Sequence, residues 1–89
     1  MQQLLAALDY GKDGIRVNAI APGPILTHNL ARVDDAARAQ IADLLPVRRL
    51  GRPEEVAATA VWLCSDQASF INGAAVPIDG GKLAGSASL

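Results

Sequence analysis

Apolar residues recur at every second position from Ile15 to Ala19, and this period predicts a buried β-strand over residues 15–20. The motif Ala-Pro-Gly-Pro follows at residues 21–24, and Thr27 lies just beyond it. Because proline has no N–H to donate to a sheet and glycine tolerates tight turns, we predict that the strand ends here in a loop. Ligands of open α/β sheets bind at the carboxyl ends of the strands, so this loop is a candidate ligand site.

Helical spacing of apolar residues, at intervals of three and four, marks three segments: residues 2–9, the second half of residues 28–45, and residues 53–66. Asp34 or Asp35 is expected to cap the second helix, and Pro53 suits the first position of the third. A final strand is predicted over residues 74–78, where the internal proline indicates an edge position or pairing on one side only.

The chain is rich in apolar residues for its size, with 51% hydrophobic and 19% charged positions among 89 residues. A chain this short buries only about 60% of the surface that it exposes when unfolded. We therefore expect other protein to cover part of its apolar surface, as in a piece of something larger.

Charge and cysteine content narrow the functional classes. The net charge of −1 comes from scattered residues, and no charged run indicates binding to nucleic acid or to a membrane surface. The longest apolar runs are shorter than the roughly 20 residues that span a bilayer, and no signal peptide is evident. The single cysteine excludes an internal disulfide and favours a reducing, cytoplasmic location. We expect no metal site.

Three motifs occur in order along the chain: GIRVNAIAPGPILT, LGRPEEVA and SDQASFINGAAVPIDGG. Together they resemble the carboxyl-terminal part of short-chain dehydrogenases/reductases, in the branch that includes 3-oxoacyl carrier-protein reductases and sugar or alcohol dehydrogenases. Over residues 1–81 the resemblance implies an α/β fold, the carboxyl-terminal portion of a Rossmann-like, doubly wound parallel sheet with about two strands and three helices. Two strands cannot form a sheet buried on both faces, so this fold would be incomplete on its own. Residues 82–89 are expected to form a frayed tail.

The resemblance also implies a cofactor site after the first strand. Pro22, Gly23, Ile25 and Thr27 match, position by position, the family's loop that binds the nicotinamide carboxamide of NAD or NADP. The implied contacts are backbone hydrogen bonds from Ile25 to the amide and a Thr27 hydroxyl near the amide or the pyrophosphate. An amide carries a donor and an acceptor, which a backbone N–H and C=O complement. On spacing alone, an ordinary strand-to-loop turn explains the same residues.

No catalytic residue is expected within these 89 residues. The family's reaction needs a tyrosine and a lysine four positions apart on one helical face, where the ammonium group lowers the pKa of the phenol. Tyr10 and Lys12 are two positions apart and fall on different faces. By resemblance, the catalytic pair would precede Met1, because the chain would start inside the matching helix. The glycine-rich pyrophosphate loop is also absent, so we predict that this chain alone neither binds dinucleotide tightly nor transfers hydride.

Other polar side chains have two explanations each. By resemblance, residues 28–45 close over the substrate, and His28 either touches the substrate or is solvated. The three arginines of residues 46–52 either pair with a phosphate or belong to a solvated loop. Cys64 has no adjacent basic residue and is expected to be a small buried side chain, not a nucleophile.

Two functions are consistent with these observations. The first is an NAD(P)-dependent oxidoreductase, present as a fragment, with a small-molecule carbonyl or alcohol substrate and, by resemblance, a homo-oligomeric, tetrameric assembly. The alternative is a catalytically dead, truncated paralogue that acts as an oligomerisation or interaction module. Neither the substrate nor the choice between NAD and NADP is predicted, because the residue that selects the cofactor follows the second strand of the complete sheet.

Overall fold

A computed structural model describes residues 2–87 of the chain. Its elements, in chain order, are α1 (Gln2–Tyr10), β1 (Ala19–Pro22), α2 (His28–Ala31), α3 (Asp35–Asp43), α4 (Pro53–Leu63), β2 (Ala75–Ile78) and α5 (Lys82–Ala87). Short 3₁₀ turns follow α1 and α4. The predicted α/β class is confirmed.

The two strands pair in parallel, with Ala19 opposite Ala75 and Pro22 opposite Ile78. The Ala19 N–H donates to the carbonyl of residue 74 at 2.8 Å, and the N–H of residue 23 donates to Ile78 O at 3.0 Å. The backbone N–H and C=O groups of alternate residues point to the same neighbouring strand. The backbone groups of Pro22 and Pro77 therefore point away from this pairing. Both prolines are tolerated for that reason, and the predicted one-sided pairing of β2 is confirmed among residues 2–87.

The first strand begins later than predicted because side-chain hydrogen bonds interrupt the ladder before residue 19, where one backbone bond joins the N–H of residue 73 to Val17 O at 2.8 Å. The Val17 N–H donates to Asn72 Oδ1 at 3.0 Å, and the Ala74 N–H donates to Asn18 Oδ1 at 2.9 Å. β1 therefore begins at Ala19 and extends to the proline that was predicted to stop it. The prediction of a buried strand is also wrong for this chain, since β1 is half-buried at its start and exposed at its end.

Local capping explains most of the helix bounds. Asp34 Oδ1 accepts from the Ala37 N–H at 2.7 Å, which selects Asp34 over Asp35 as the cap of α3. Pro53 occupies the first position of α4, as predicted, and this helix ends earlier than residue 66. α2 was not predicted as a separate helix.

The carboxyl-terminal helix α5 lies within the segment 82–89 that was expected to form a frayed tail. Asp79 Oδ1 accepts from the Gly81 N–H and Oδ2 from the Leu83 N–H, each at 3.0 Å. This carboxylate satisfies N–H groups that the first turn of a helix leaves unpaired, so α5 forms directly after β2. Met1 and residues 88–89 lie outside the described residues, and the domain boundary at residue 81 stays a prediction.

Little apolar surface is buried within the chain. The buried apolar side chains are Ala7, Ile25, Leu45, Leu63 and Ala68. Large apolar residues remain exposed, including Val61, Trp62 and Phe70 on and after α4. Cys64, which was expected to be buried, is exposed because nothing among residues 2–87 covers that side of α4. Of the helices in this range, none is long and apolar enough to cross a membrane.

Candidate functional site

An open cleft of about 580 Å³ lies at the carboxyl end of β1, and all four residues that the motif predicted contribute to its lining. Pro22, Gly23, Ile25 and Thr27 form one side of this cleft. Apolar and polar side chains from α2, α3 and the turn between them form much of the other side: Asn29, Leu30, Val33 and Ile41. The cleft thus lies between the end of the sheet and the segment that was expected to close over a ligand.

Gly23 is required by the protein's own packing. A Cβ atom on Gly23 would lie 2.7 Å from Asp79 Cβ and 2.9 Å from Asp79 Cα, distances that real side chains do not adopt. The glycine therefore allows the end of β1 to contact the residue after β2. The sequence predicted a turn at this glycine, and the structure identifies Asp79 as the residue that it approaches.

Ile25 is held from behind by Gly51, a residue that the sequence analysis did not single out. The Gly51 N–H donates to Pro24 O at 3.0 Å, and the Leu26 N–H donates to Gly51 O at 2.8 Å, which makes an isolated parallel bridge. The Ile25 side chain is 9% exposed, and its Cδ1 would lie 2.6 Å from a Cβ atom on Gly51. No periodic pattern marks Gly51, so the sequence carries little signal for this contact.

The N–H and C=O of Ile25 point away from Gly51. This follows because Gly51 bonds the flanking groups, Pro24 O and the Leu26 N–H. The Ile25 carbonyl accepts from the Thr27 N–H at 2.7 Å and keeps a second lone pair. The Ile25 N–H has no partner among residues 2–87. One donor and one acceptor therefore stand side by side at this position, the pattern that a primary amide complements.

Thr27 caps the helix that follows the loop. Its Oγ1 accepts from the Leu30 N–H at 3.4 Å, and its carbonyl accepts from the Ala31 N–H at 2.9 Å. The side chain is exposed, and the hydroxyl proton is not used by the cap, so the group remains able to donate to a ligand.

Glu55 forms a bidentate ion pair with Arg49, which lies in the turn before α4. Arg49 Nη1 and Nη2 donate to the two carboxylate oxygens at 2.8 and 3.0 Å. Glu55 Oε1 also accepts from the backbone N–H of Arg52 at 3.0 Å. The Arg49 hydrogen bond, together with that of the Arg52 N–H, lowers the pKa of Glu55 to about 2, and the same pair raises the pKa of Arg49. Of the two explanations offered for the arginines, the solvated loop describes Arg49, which is exposed and also paired with a carboxylate.

The remaining sequence candidates lie elsewhere. Tyr10 and Lys12 are exposed at the end of α1 and in the turn after it, and His28 is exposed at the start of α2. None of these three side chains lines the cleft. Among residues 2–87, no cluster of three or more histidine, cysteine, aspartate or glutamate side chains is arranged to hold a metal ion.

Comparison with known proteins gives consistent matches over most of the chain. A family model described as enoyl-(acyl carrier protein) reductase matches residues 4–82. The chain is 51% identical over 77 residues to 3β-hydroxysteroid dehydrogenase 1 of Eggerthella lenta, a match that covers 84% of the chain and 30% of that protein. It spans between 26% and 30% of the length of the first curated relatives that it matches.

Solved structures reproduce the fold. The crystal structure of 3-oxoacyl-[acyl-carrier protein] reductase from Brucella melitensis matches with a TM-score of 0.85 and 42% identity, over 90% of this chain and 30% of that one. A candidate 2-deoxy-D-gluconate 3-dehydrogenase from Agrobacterium tumefaciens, solved with bound NADP, matches with a TM-score of 0.84 and 41% identity, over 93% of this chain and 35% of that one.

Proposed function

Because the chain belongs to the short-chain dehydrogenase/reductase family of oxidoreductases, we propose that it forms the nicotinamide-binding part of an NAD(P)-dependent enzyme. The reaction would move a hydride between the nicotinamide ring and a carbonyl or alcohol carbon of a small molecule. The observation that carries the proposal is the backbone of Ile25, whose N–H has no partner among residues 2–87 and stands beside a carbonyl with a free lone pair.

The nicotinamide supplies the hydride when it is bound, and the residues of this chain hold its carboxamide. We assign the Ile25 N–H to the amide oxygen and the Ile25 carbonyl to the amide N–H. The Thr27 hydroxyl, which keeps its proton available, is assigned to the amide or to the pyrophosphate. The bound NADP of the Agrobacterium tumefaciens structure supports a dinucleotide as the ligand.

We further propose that these 89 residues transfer no hydride without additional protein. Reduction of a carbonyl needs a proton as well as a hydride, and the family's tyrosine and lysine deliver it from one helical face. The chain has one tyrosine, Tyr10, and the lysine nearest to it lies two positions away. The single cysteine supports a reducing, cytoplasmic location for the protein.

Amide NMR shifts during titration with nicotinamide, NADH and NADPH test the cofactor site, because shifts detect weak binding. We expect the largest shifts at Ile25 and Thr27, with no turnover of a panel of carbonyl compounds by this chain. Shifts that leave the loop of residues 22–27 unchanged while moving another region would contradict the assignment. Turnover by the chain alone would contradict the proposed division of the active site.

A second candidate function rests on a different observation, the exposed apolar residues on and after α4. Val61 is 71% exposed and Phe70 is fully exposed, and such surface is typical of a protein interface. On this alternative the chain is an interaction module that docks onto complete reductase subunits or onto itself as a homo-oligomer. Light scattering of the chain with and without a complete family member distinguishes the two candidate functions, since only an interaction module forms a stable mixed complex.

A further inference from the structure

The turn over residues 49–52 contacts the candidate cofactor loop from behind, and the Glu55 carboxylate holds this turn at two points. One point is the Arg49 guanidinium, bonded at 2.8 and 3.0 Å, and the other is the Arg52 backbone N–H, bonded at 3.0 Å. The Glu55 N–H in turn donates to Arg52 O at 2.9 Å. Gly51 lies between the two points, so its position follows from that of Glu55.

Gly51 is bonded to the loop through its backbone. Its N–H and carbonyl bond Pro24 O and the Leu26 N–H, the two groups that flank Ile25. A Cβ atom on residue 51 would lie 2.6 Å from Ile25 Cδ1, so a larger residue here has to displace the end of the Ile25 side chain. Glu55, Gly51 and Ile25 line a single small cavity of about 90 Å³ behind the loop.

We propose that Glu55 and Gly51 are positioning residues that hold residues 24–26 so that the Ile25 N–H and carbonyl face the cofactor. This inference rests on the proposed function, although the geometry that it describes exists without a ligand. Neither residue lines the cleft itself, and both act through the backbone of Ile25. Glu54, the neighbouring exposed carboxylate, takes part in no ion pair or side-chain hydrogen bond among residues 2–87, which makes it a matched control.

Amide hydrogen exchange in the full, cofactor-free chain tests the positioning directly. We expect Glu55→Ala to accelerate exchange at the Leu26 and Gly51 amides by about tenfold, because one change removes three hydrogen bonds of a charged acceptor. Glu55→Gln keeps an oxygen for the Arg52 N–H and should give a smaller effect. Glu54→Ala should give none. Equal acceleration at the Ala19 amide of β1, or no change at Leu26 and Gly51, would overturn the inference.

A rescue experiment distinguishes positioning from general stability. Gly51→Ala should displace Ile25 and weaken binding of NADPH by about tenfold, a loss that corresponds to one hydrogen bond to the amide. Adding Ile25→Val removes Cδ1, the atom in the way, and should restore the affinity. Unchanged affinity in Gly51→Ala overturns the inference. If the unsubstituted chain shows no shifts with either dinucleotide, the proposed function fails, while hydrogen exchange still decides whether Glu55 positions the loop.

Discussion

Gly23 and Asp79 touch backbone to backbone at the carboxyl ends of the two strands, closely enough that a Cβ atom on Gly23 would lie 2.7 Å from Asp79 Cβ. Asp79 also accepts hydrogen bonds from the first turn of α5. One contact therefore joins the end of the sheet, the candidate cofactor loop and the last helix. The shape of the cleft depends on it.

Gly23→Ala tests this contact. The added methyl group would meet both Cα and Cβ of Asp79, and backbone cannot move aside as a flexible side chain can. We expect the free energy of unfolding to fall by about 1–3 kcal/mol, the usual cost of overpacking. Urea denaturation measures this loss. Gly85→Ala is the control, since its Cβ meets no atom within 4 Å and alanine favours a helix. Equal stability of the two variants would show that the contact at Gly23 is not tight.

Acid should weaken the turn that Glu55 holds. In the folded chain the pKa of Glu55 is lowered from its usual 4.5 to about 2, chiefly by the Arg49 hydrogen bond. The unfolded chain therefore binds the proton first, so the stabilisation is complete above about pH 4.5 and is lost as the pH falls towards 2. Urea denaturation at pH 6 and pH 3 should show a smaller acid-induced loss in Glu55→Gln than in the unsubstituted chain. Because the pair is accessible to solvent, 1 M salt should reduce the difference.

Thr27 is expected to serve both the helix cap and the ligand. Thr27→Val removes the oxygen that accepts from the Leu30 N–H, and the long 3.4 Å bond places the loss of stability at about 0.5 kcal/mol. The same change removes a donor to the cofactor, so the dissociation constant of NADPH should rise by about threefold or more. Thr27→Ser retains the hydroxyl and should restore both quantities. If thermal unfolding changes and NADPH affinity does not, Thr27 is only a cap.

The Asn72 side chain connects its own segment to α1 and to the residues before β1. Its Nδ2 donates to Ala7 O of α1 at 3.0 Å, and its Oδ1 accepts from the Val17 N–H at 3.0 Å. We expect Asn72→Ala to lower the free energy of unfolding by about 1 kcal/mol, since one bond is exposed and the other is part-buried. Asn29→Ala, at an exposed position of α2, should change stability by no more than about 0.5 kcal/mol. A neutral Asn72→Ala would mean that α1 is held by other contacts.

Local sequence signals predicted most of the elements. The cap at Asp34 and the proline at residue 53 act within one helical turn, and both appear where the sequence placed them. The bounds of β1 were predicted less well, because alternation alone does not reveal that Asn18 and Asn72 substitute for the ladder before residue 19. The helix α5 was not predicted, because its cap, Asp79, directly follows the residues predicted as the final strand.

The candidate site was predicted in part. The motif identified Pro22, Gly23, Ile25 and Thr27, and the structure brings all four to one cleft. Their contact with a cofactor stays a prediction. Gly51 was missed, because its partner Ile25 lies in a different motif and no periodicity connects the two.

The sequence by itself determined the loop after β1, the cap of α3 and the start of α4, because proline, glycine and capping carboxylates act on neighbouring residues. It also identified the family, since three motifs keep their order along the chain. Only the tertiary structure decided that Asp79 fills the space beside Gly23 and that Gly51, held through Glu55, supports Ile25. The Gly23–Asp79 and Gly51–Ile25 contacts join residues that are distant in the chain, and the parallel pairing of β1 with β2 brings residues 23 and 79 to the same edge.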